Sequence, residues 1–286
     1  MISLVKGDVT AVIDAASDAY NGARFDHMGI VVQLRKGTCS FCGAESPVVA
    51  GSSGGLGLAN EFGLDAPIGY DEADEGGLFL KIGVGWLEKP DAGFLPRYSH
   101  MYPFEIKDLA SYSFRKHGDV LEFHFDSGVI NGYGAVYEKV YEVTDYGIEV
   151  SFQLKNTGTK PIETNEYCHC FLSMNQMPVD GKYILKTSVE SIDKEISALV
   201  YGERKAYYMS CDNAQHLKGF PGWTLSHRNL PTSIAERVDS PIQRFAVWGT
   251  RAVLSPECFH KVKLMPGEGE RWMRKYIFSD ADSGAF

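Results

Sequence analysis

Alternation with a period of two dominates this sequence and leaves little room for anything but β-structure. In LEFHFD, Leu121, Phe123 and Phe125 alternate with polar neighbours, and in GIEVSFQLKNTG the apolar Ile148, Val150, Phe152 and Leu154 do the same. This is the pattern of strands with one face on a core and the other in water. Asp145, Tyr146 and Gly147 separate the second run from another at 140–144, which predicts a hairpin. Similar runs recur at 29–34, 79–84, 246–254, 260–264 and 275–278, with Gly, Asn, Asp or Pro between them. The spacing suits an antiparallel sandwich. Helical periodicity is confined to 186–217, where Val189, Ile192 and Ile196 compete with β-branched content, so one short helix is expected and two at most. The Gly-rich SSGGLGLANEFGLDAPIGYDEADEGG at 52–77 reads as a long functional loop. No repeat, low-complexity segment or linker divides the chain, and a single all-β domain over 1–286 is the economical organisation.

Composition then narrows the class. A chain of 286 residues can bury a substantial core, and its 44% hydrophobic, 23% charged and 12% aromatic shares are those of a globular protein. The net charge of -9, with no long basic run, argues against general attraction to nucleic acid or anionic lipid, although a local basic pocket is allowed. The start, MISLVKGDVTAVIDAASDAY, carries Asp8 and Asp14 where a secretory signal would be apolar, and no window approaches the ~18 apolar residues of a membrane span. A cytoplasmic location is expected. Six cysteines in a chain of this length point to reduced thiols rather than a disulfide framework.

Two segments could carry chemistry. TNEYCHCFLSMN, residues 164–175, sets His169 between Cys168 and Cys170, and TCSFCG adds Cys39 and Cys42. Zinc is disfavoured, because neighbours on a strand point to opposite faces and Cys168 would diverge from His169. The cysteines then read as small buried apolar residues. SSGGLGLANEFG lacks the lysine of a P-loop and the strand-then-helix context of a dinucleotide fold. Alternation puts Tyr167 and Phe171 on the face of His169, which is either a satisfied core histidine or a proton donor, its ordinary pKa of ~6.5 lying near working pH. In VLSPECFHKVKLMPGEGERWMRKYIF, Glu257 stands between apolar stretches after Pro256; it is either a solvated loop carboxylate or one whose burial tunes its acidity.

The same two segments resemble those of the aldose 1-epimerase (galactose mutarotase) superfamily, whose fold is a large antiparallel β-supersandwich. TNEYCHCFLSMN is similar to that family's strand in which Thr or Asn leads into a His followed by an aromatic residue and Asn, roughly T-N-H-S-Y-F-N. The C-terminal segment is similar to the family's Glu in an apolar strand, its L-x-P-G-E turn and its closing aromatic strand. YNGARFDHMGIVVQL resembles the opening strands with their arginine, and VYEVTDYGIEVSFQLKNTGTKPI the central hairpin and N-T-G turn. The likeness runs from about Gly22 to Phe278. It implies an isomerase that interconverts sugar anomers by ring opening, with His169 as general acid, Glu257 as general base, and neither metal nor redox cofactor, since each step moves only protons. The implied partner is a small-molecule sugar, with neither nucleic acid nor membrane, and a homodimer is an allowed assembly. A sugar-binding module without turnover is the second reading, and a glycoside-processing enzyme with two carboxylates the third; no second carboxylate stands out beside Glu257.

One departure bears on the substrate. Where the family carries a His-Gly-Gly segment, this chain has GGLFLKIGVGWLEKP, with Lys81 nearest the expected histidine, so the second imidazole is either missing or replaced by His100 in RYSHMY. Arg24, Lys81 and Arg97 could read a carboxylate, sulfonate or phosphate on the sugar, or form ordinary ion pairs. Among Tyr70, Trp86, Tyr98, Phe171, Trp223 and Trp248, Tyr70 and Trp248 are the expected sugar-facing rings. Asn165 and Asn175 could contact hydroxyls or serve turns and edges.

Overall fold

The computed structural model describes residues 1–45, 52–65, 67–187, 189–200 and 206–280, without the side chains of 198–200, 214 and 216. Two large antiparallel sheets carry the fold. In the first, the strands run in the spatial order Ile2–Lys6, Val9–Asp14, Ile30–Lys36, Gly57–Phe62, Ile162–Phe171, Leu254–Leu264, Ile242–Thr250 and Ala206–Cys211, with Cys39–Ser40 pairing Ile30–Lys36. In the second the order is Tyr183–Thr187, Gly222–His227, Thr232–Val238, Gly269–Asp280, Gly147–Asn156, Tyr133–Thr144, Val120–Ile130 and Ser111–His117. A small third sheet joins Leu78–Lys81, Gly85–Glu88 and Ile106–Lys107. The expected hairpin is present, Thr144 pairing Gly147. Gly147 is required there: its φ is +155°, and a Cβ would stand 1.8 Å from the Tyr276 carbonyl oxygen.

Alternation reports the two sheets unequally. Gly269–Asp280 and Tyr133–Thr144 bury every second residue, as half-wetted strands should. Their inner faces meet the first sheet in one core, where Phe62 packs against Tyr137 at 5.2 Å between ring centroids. By contrast, all six residues of Gly57–Phe62 are buried, and most of Leu254–Leu264 is too. Gly57–Phe62 and residues 254–260 are covered on both sides, so no polar alternation marks them, whereas 260–264 alternates as expected, with Lys261 and Lys263 exposed. The reading of 52–77 as one loop is corrected on this ground: its centre is the strand Gly57–Phe62.

Helix is scarce among the described residues: Glu190–Val200, the single turn Ala214–Leu217 and the 3-10 turn Met174–Gln176. None is long and apolar enough to cross a membrane.

Candidate active site

The histidine and glutamate strands are hydrogen-bonded neighbours whose pairing is interrupted at one place. Ile162–Phe171 and Leu254–Leu264 pair from Ile162–Leu264 to Glu166–His260, part, and meet again at Leu172–Leu254 in the same register. That register sets His169 opposite Glu257 and Cys170 opposite Pro256. Proline has no N–H to give the ladder, and in the gap the Cys170 N–H donates instead to the Ser255 hydroxyl at 2.9 Å. Two residues 88 positions apart in sequence thereby become a cross-strand pair.

Their side chains touch. His169 Nε2 lies 3.4 Å from Glu257 Oε1. Ser255, two residues before Glu257 and so on the same face, donates to Oε1 at 3.0 Å and lies 3.0 Å from His169 Nδ1. The imidazole stacks on Phe171 at 4.0 Å, while Phe25 and Trp248 meet it edge-on at 5.8 and 5.1 Å. Burial among these rings pushes the His169 pKa well below its ordinary value, helped by the positive field of Arg24 and the nearby His100. Burial pushes Glu257 up to about 8, against the Ser255 hydrogen bond and the Arg24 charge that lower it. Both groups thus lean to their uncharged forms.

The pair lines a cavity of about 370 Å³ that also reaches Arg24, Tyr167, Trp248, His100, Met101 and Leu64, with Glu45, Asp65 and Tyr208 completing its lining. On the neighbouring strands the small Ala59 pairs His169 from one side and Ala246 pairs Glu257 from the other. Behind the wall, Glu61 accepts from Arg24 Nε at 2.9 Å, from the Tyr167 hydroxyl at 2.6 Å and from Lys81 Nζ at 2.8 Å. Burial alone would raise the Glu61 pKa; the two cations overcome it and hold the carboxyl down to about 2.

Of the residues expected from sequence, His169, Glu257, Arg24, His100 and Trp248 converge on this cavity. Three do not. Lys81 is buried beneath it, spent on Glu61 and the Tyr98 hydroxyl. Tyr70 packs with Phe79, Tyr98 and Phe104 in a separate aromatic cluster. Asn175 sits in a left-handed turn, φ +49°, and its Oδ1 accepts from the Ser40 N–H. Asn165 donates to Asp65 at the rim. Cys168 and Cys170 belong to the intersheet core on the other face, where Cys170 Sγ approaches the Tyr276 hydroxyl. Sequence reasoning missed Ser255, Glu61, Tyr208, Asp65 and Glu45. The i, i+2 spacing of Ser255 and Glu257 was the available signal for the first.

Whole-chain comparison agrees with this architecture. A candidate aldose 1-epimerase from Escherichia coli K12 superposes with a TM-score of 0.64 at 10% identity, covering 97% of this chain and 98% of that one. A galactose mutarotase-like protein from Clostridium acetobutylicum gives 0.61 at 13% identity, covering 97% and 94%. One from Lactobacillus casei gives 0.56 at 11%, covering 98% and 100%. The fold is galactose mutarotase-like. Neither a protein-family model nor a curated protein sequence matches the chain. At these identities the likeness establishes architecture alone.

Proposed function

We propose that this protein is an aldose 1-epimerase acting on a neutral hexose, with Glu257 as general base and His169 as general acid. The observation that carries the reading is their direct contact in the cavity lining, Nε2 to Oε1 at 3.4 Å. Anomer exchange needs a proton removed from the C1 hydroxyl and another delivered to the ring oxygen. Those two oxygens are bonded to one carbon, so a base and an acid that stand side by side can serve both.

The reaction then balances with no further reactant. Glu257 takes the C1 hydroxyl proton and that oxygen becomes the aldehyde oxygen. The bond from C1 to the ring oxygen breaks as His169 Nε2 gives its proton to that oxygen. Rotation about C1–C2 presents the other aldehyde face, and the reverse transfers close the ring as the opposite anomer. The pair begins and ends with the same proton count. Positioned acids and bases of this kind contribute about 10²–10⁴-fold each.

Charge pairing favours an uncharged sugar over a phosphorylated, sulfonated or carboxylated one. Arg24 and Lys81 both hold Glu61, and Arg244 holds Asp65 at 2.9 Å, while Glu45 adds negative charge to the lining. An anion would have to compete with carboxylates already in place. Trp248 and Tyr208 supply rings for the C–H face of a pyranose. Anomer exchange followed by NMR over neutral, phosphorylated and acidic sugars tests the reading. Acceleration confined to neutral hexoses is expected; binding without acceleration of any sugar would contradict it.

A further inference from the structure

Ser255 is fully buried between the base and the acid, and its hydroxyl has more neighbours than it has freedom. It accepts from the Cys170 N–H at 2.9 Å and lies 3.0 Å from both His169 Nδ1 and Glu257 Oε1. A hydroxyl owns one proton and two lone pairs, and Cys170 takes one lone pair. One donation and one acceptance remain for two partners, so the order of protons along Glu257, Ser255 and His169 is correlated. When Glu257 is ionised, Ser255 donates to it and the ring presents Nδ1–H to Ser255. When Glu257 is protonated and donates, Ser255 donates to Nδ1 and the ring proton stands on Nε2, toward the cavity.

These two arrangements interconvert by a two-proton shift. The Oε1–H bond of Glu257 breaks as a new Oγ–H bond forms on Ser255, and the old Oγ–H bond breaks as Nδ1–H forms on His169. A neutral carboxyl and a neutral Nε2–H ring become a carboxylate and an imidazolium, which are the base and acid that ring opening uses. The proton on Nε2 is untouched, and no water enters the step. The direct path between Nε2 and Oε1, at 3.4 Å, is longer than either link through Ser255.

We propose that Ser255 is a positioning residue that arms the site, relaying one proton from Glu257 to His169 Nδ1 when sugar hydroxyls enter the cavity and solvate the charged forms. The proposal rests on the anomer-exchange reading. Burial supports its starting point, since both members of the pair are displaced toward their neutral forms. The charged or titratable groups that share this surrounding are Arg24, Glu61, Tyr167, His100, Tyr208, Arg244, Asp65 and Glu45.

The test compares wild type, Ser255→Cys and Ser255→Ala, measuring kcat and KM for anomer exchange and the ring tautomer of His169 by ¹⁵N NMR without sugar. Ser255→Ala is expected to lower kcat by about 10- to 100-fold with KM within about twofold, with Ser255→Cys between. The wild-type ring is expected as the Nε2–H tautomer and the Ala ring as a mixture, because Nδ1 loses its donor. Wild-type kcat and an unchanged tautomer in Ser255→Ala would overturn the proposal while leaving the parent reading intact, provided Glu257→Gln is inactive. Absence of exchange in wild type would overturn both. Should the unpartnered Cys170 N–H prevent Ser255→Ala from folding, the same two readouts on Ser255→Cys decide, unchanged values again overturning the relay.

Discussion

Two buried ionic clusters lie on opposite faces of the same strands, and only one of them reaches open space. On the core face, Glu166 accepts from Arg274, Asn60 and Trp272, while Glu236 accepts from Arg274, Tyr276 and Trp223. Every carboxylate oxygen there has a partner and the cluster is sealed between sheets. On the cavity face, Arg24, Glu61, Lys81 and Tyr167 form a similar knot, but Arg24 and Tyr167 also line the cavity beside His169 and Glu257. The residue types are alike. What separates a structural cluster from a reactive one is whether a substrate can share its protons.

Breaking the sealed cluster should give the largest effect. Arg274→Met leaves two carboxylates buried without their cation, and a loss of about 3–5 kcal/mol in denaturant unfolding is expected. A loss of under about 1 kcal/mol would mean that the cluster is not sealed as described.

The cavity pair should behave in the opposite sense. Glu257 has a folded pKa raised from 4.5 to about 8, so the folded state binds more protons than the unfolded state between those values. Its contribution to stability is therefore whole at low pH and is lost as pH rises through about 8. Glu257→Gln removes that loss. Thermal melts should show the variant gaining on wild type as pH rises from 4.5 to 8, while anomer exchange disappears. A variant that is destabilised equally at all pH values would place Glu257 with the sealed cluster.

The smallest effect sharpens the boundary between site and scaffold. Tyr70 has a buried hydroxyl without a hydrogen-bond partner, in the aromatic cluster away from the cavity. Tyr70→Phe should leave exchange unchanged and stability equal or higher by up to about 1 kcal/mol. A raised KM in that variant would extend the proposed site to this cluster.

How much of this could be read in advance follows from burial. The half-wetted strands announce themselves by alternation, and the same rule set Tyr167 and Phe171 beside His169 and turned the cysteines away. The strand Gly57–Phe62 does not, being covered on both faces, and Glu61 stayed hidden in a segment that looked like a loop. No local pattern couples His169 to Glu257. Their meeting depends on a strand register set by residues 162–166 and 260–264 and on the gap at Pro256, and family resemblance alone pointed to it. Lys81 was drawn to the sugar by its place in the sequence, whereas its ammonium is spent on Glu61.

The proposed roles make His169 and Glu257 one unit on the anomeric centre. Saturation transfer between anomeric protons of a neutral hexose, measured for wild type, His169→Asn, Glu257→Gln and the double variant, tests this most directly. Each single variant is expected to lose about 10²-fold or more, and the double variant little beyond the worse single one. Single variants that retain exchange, or losses that multiply in the double variant, would contradict it.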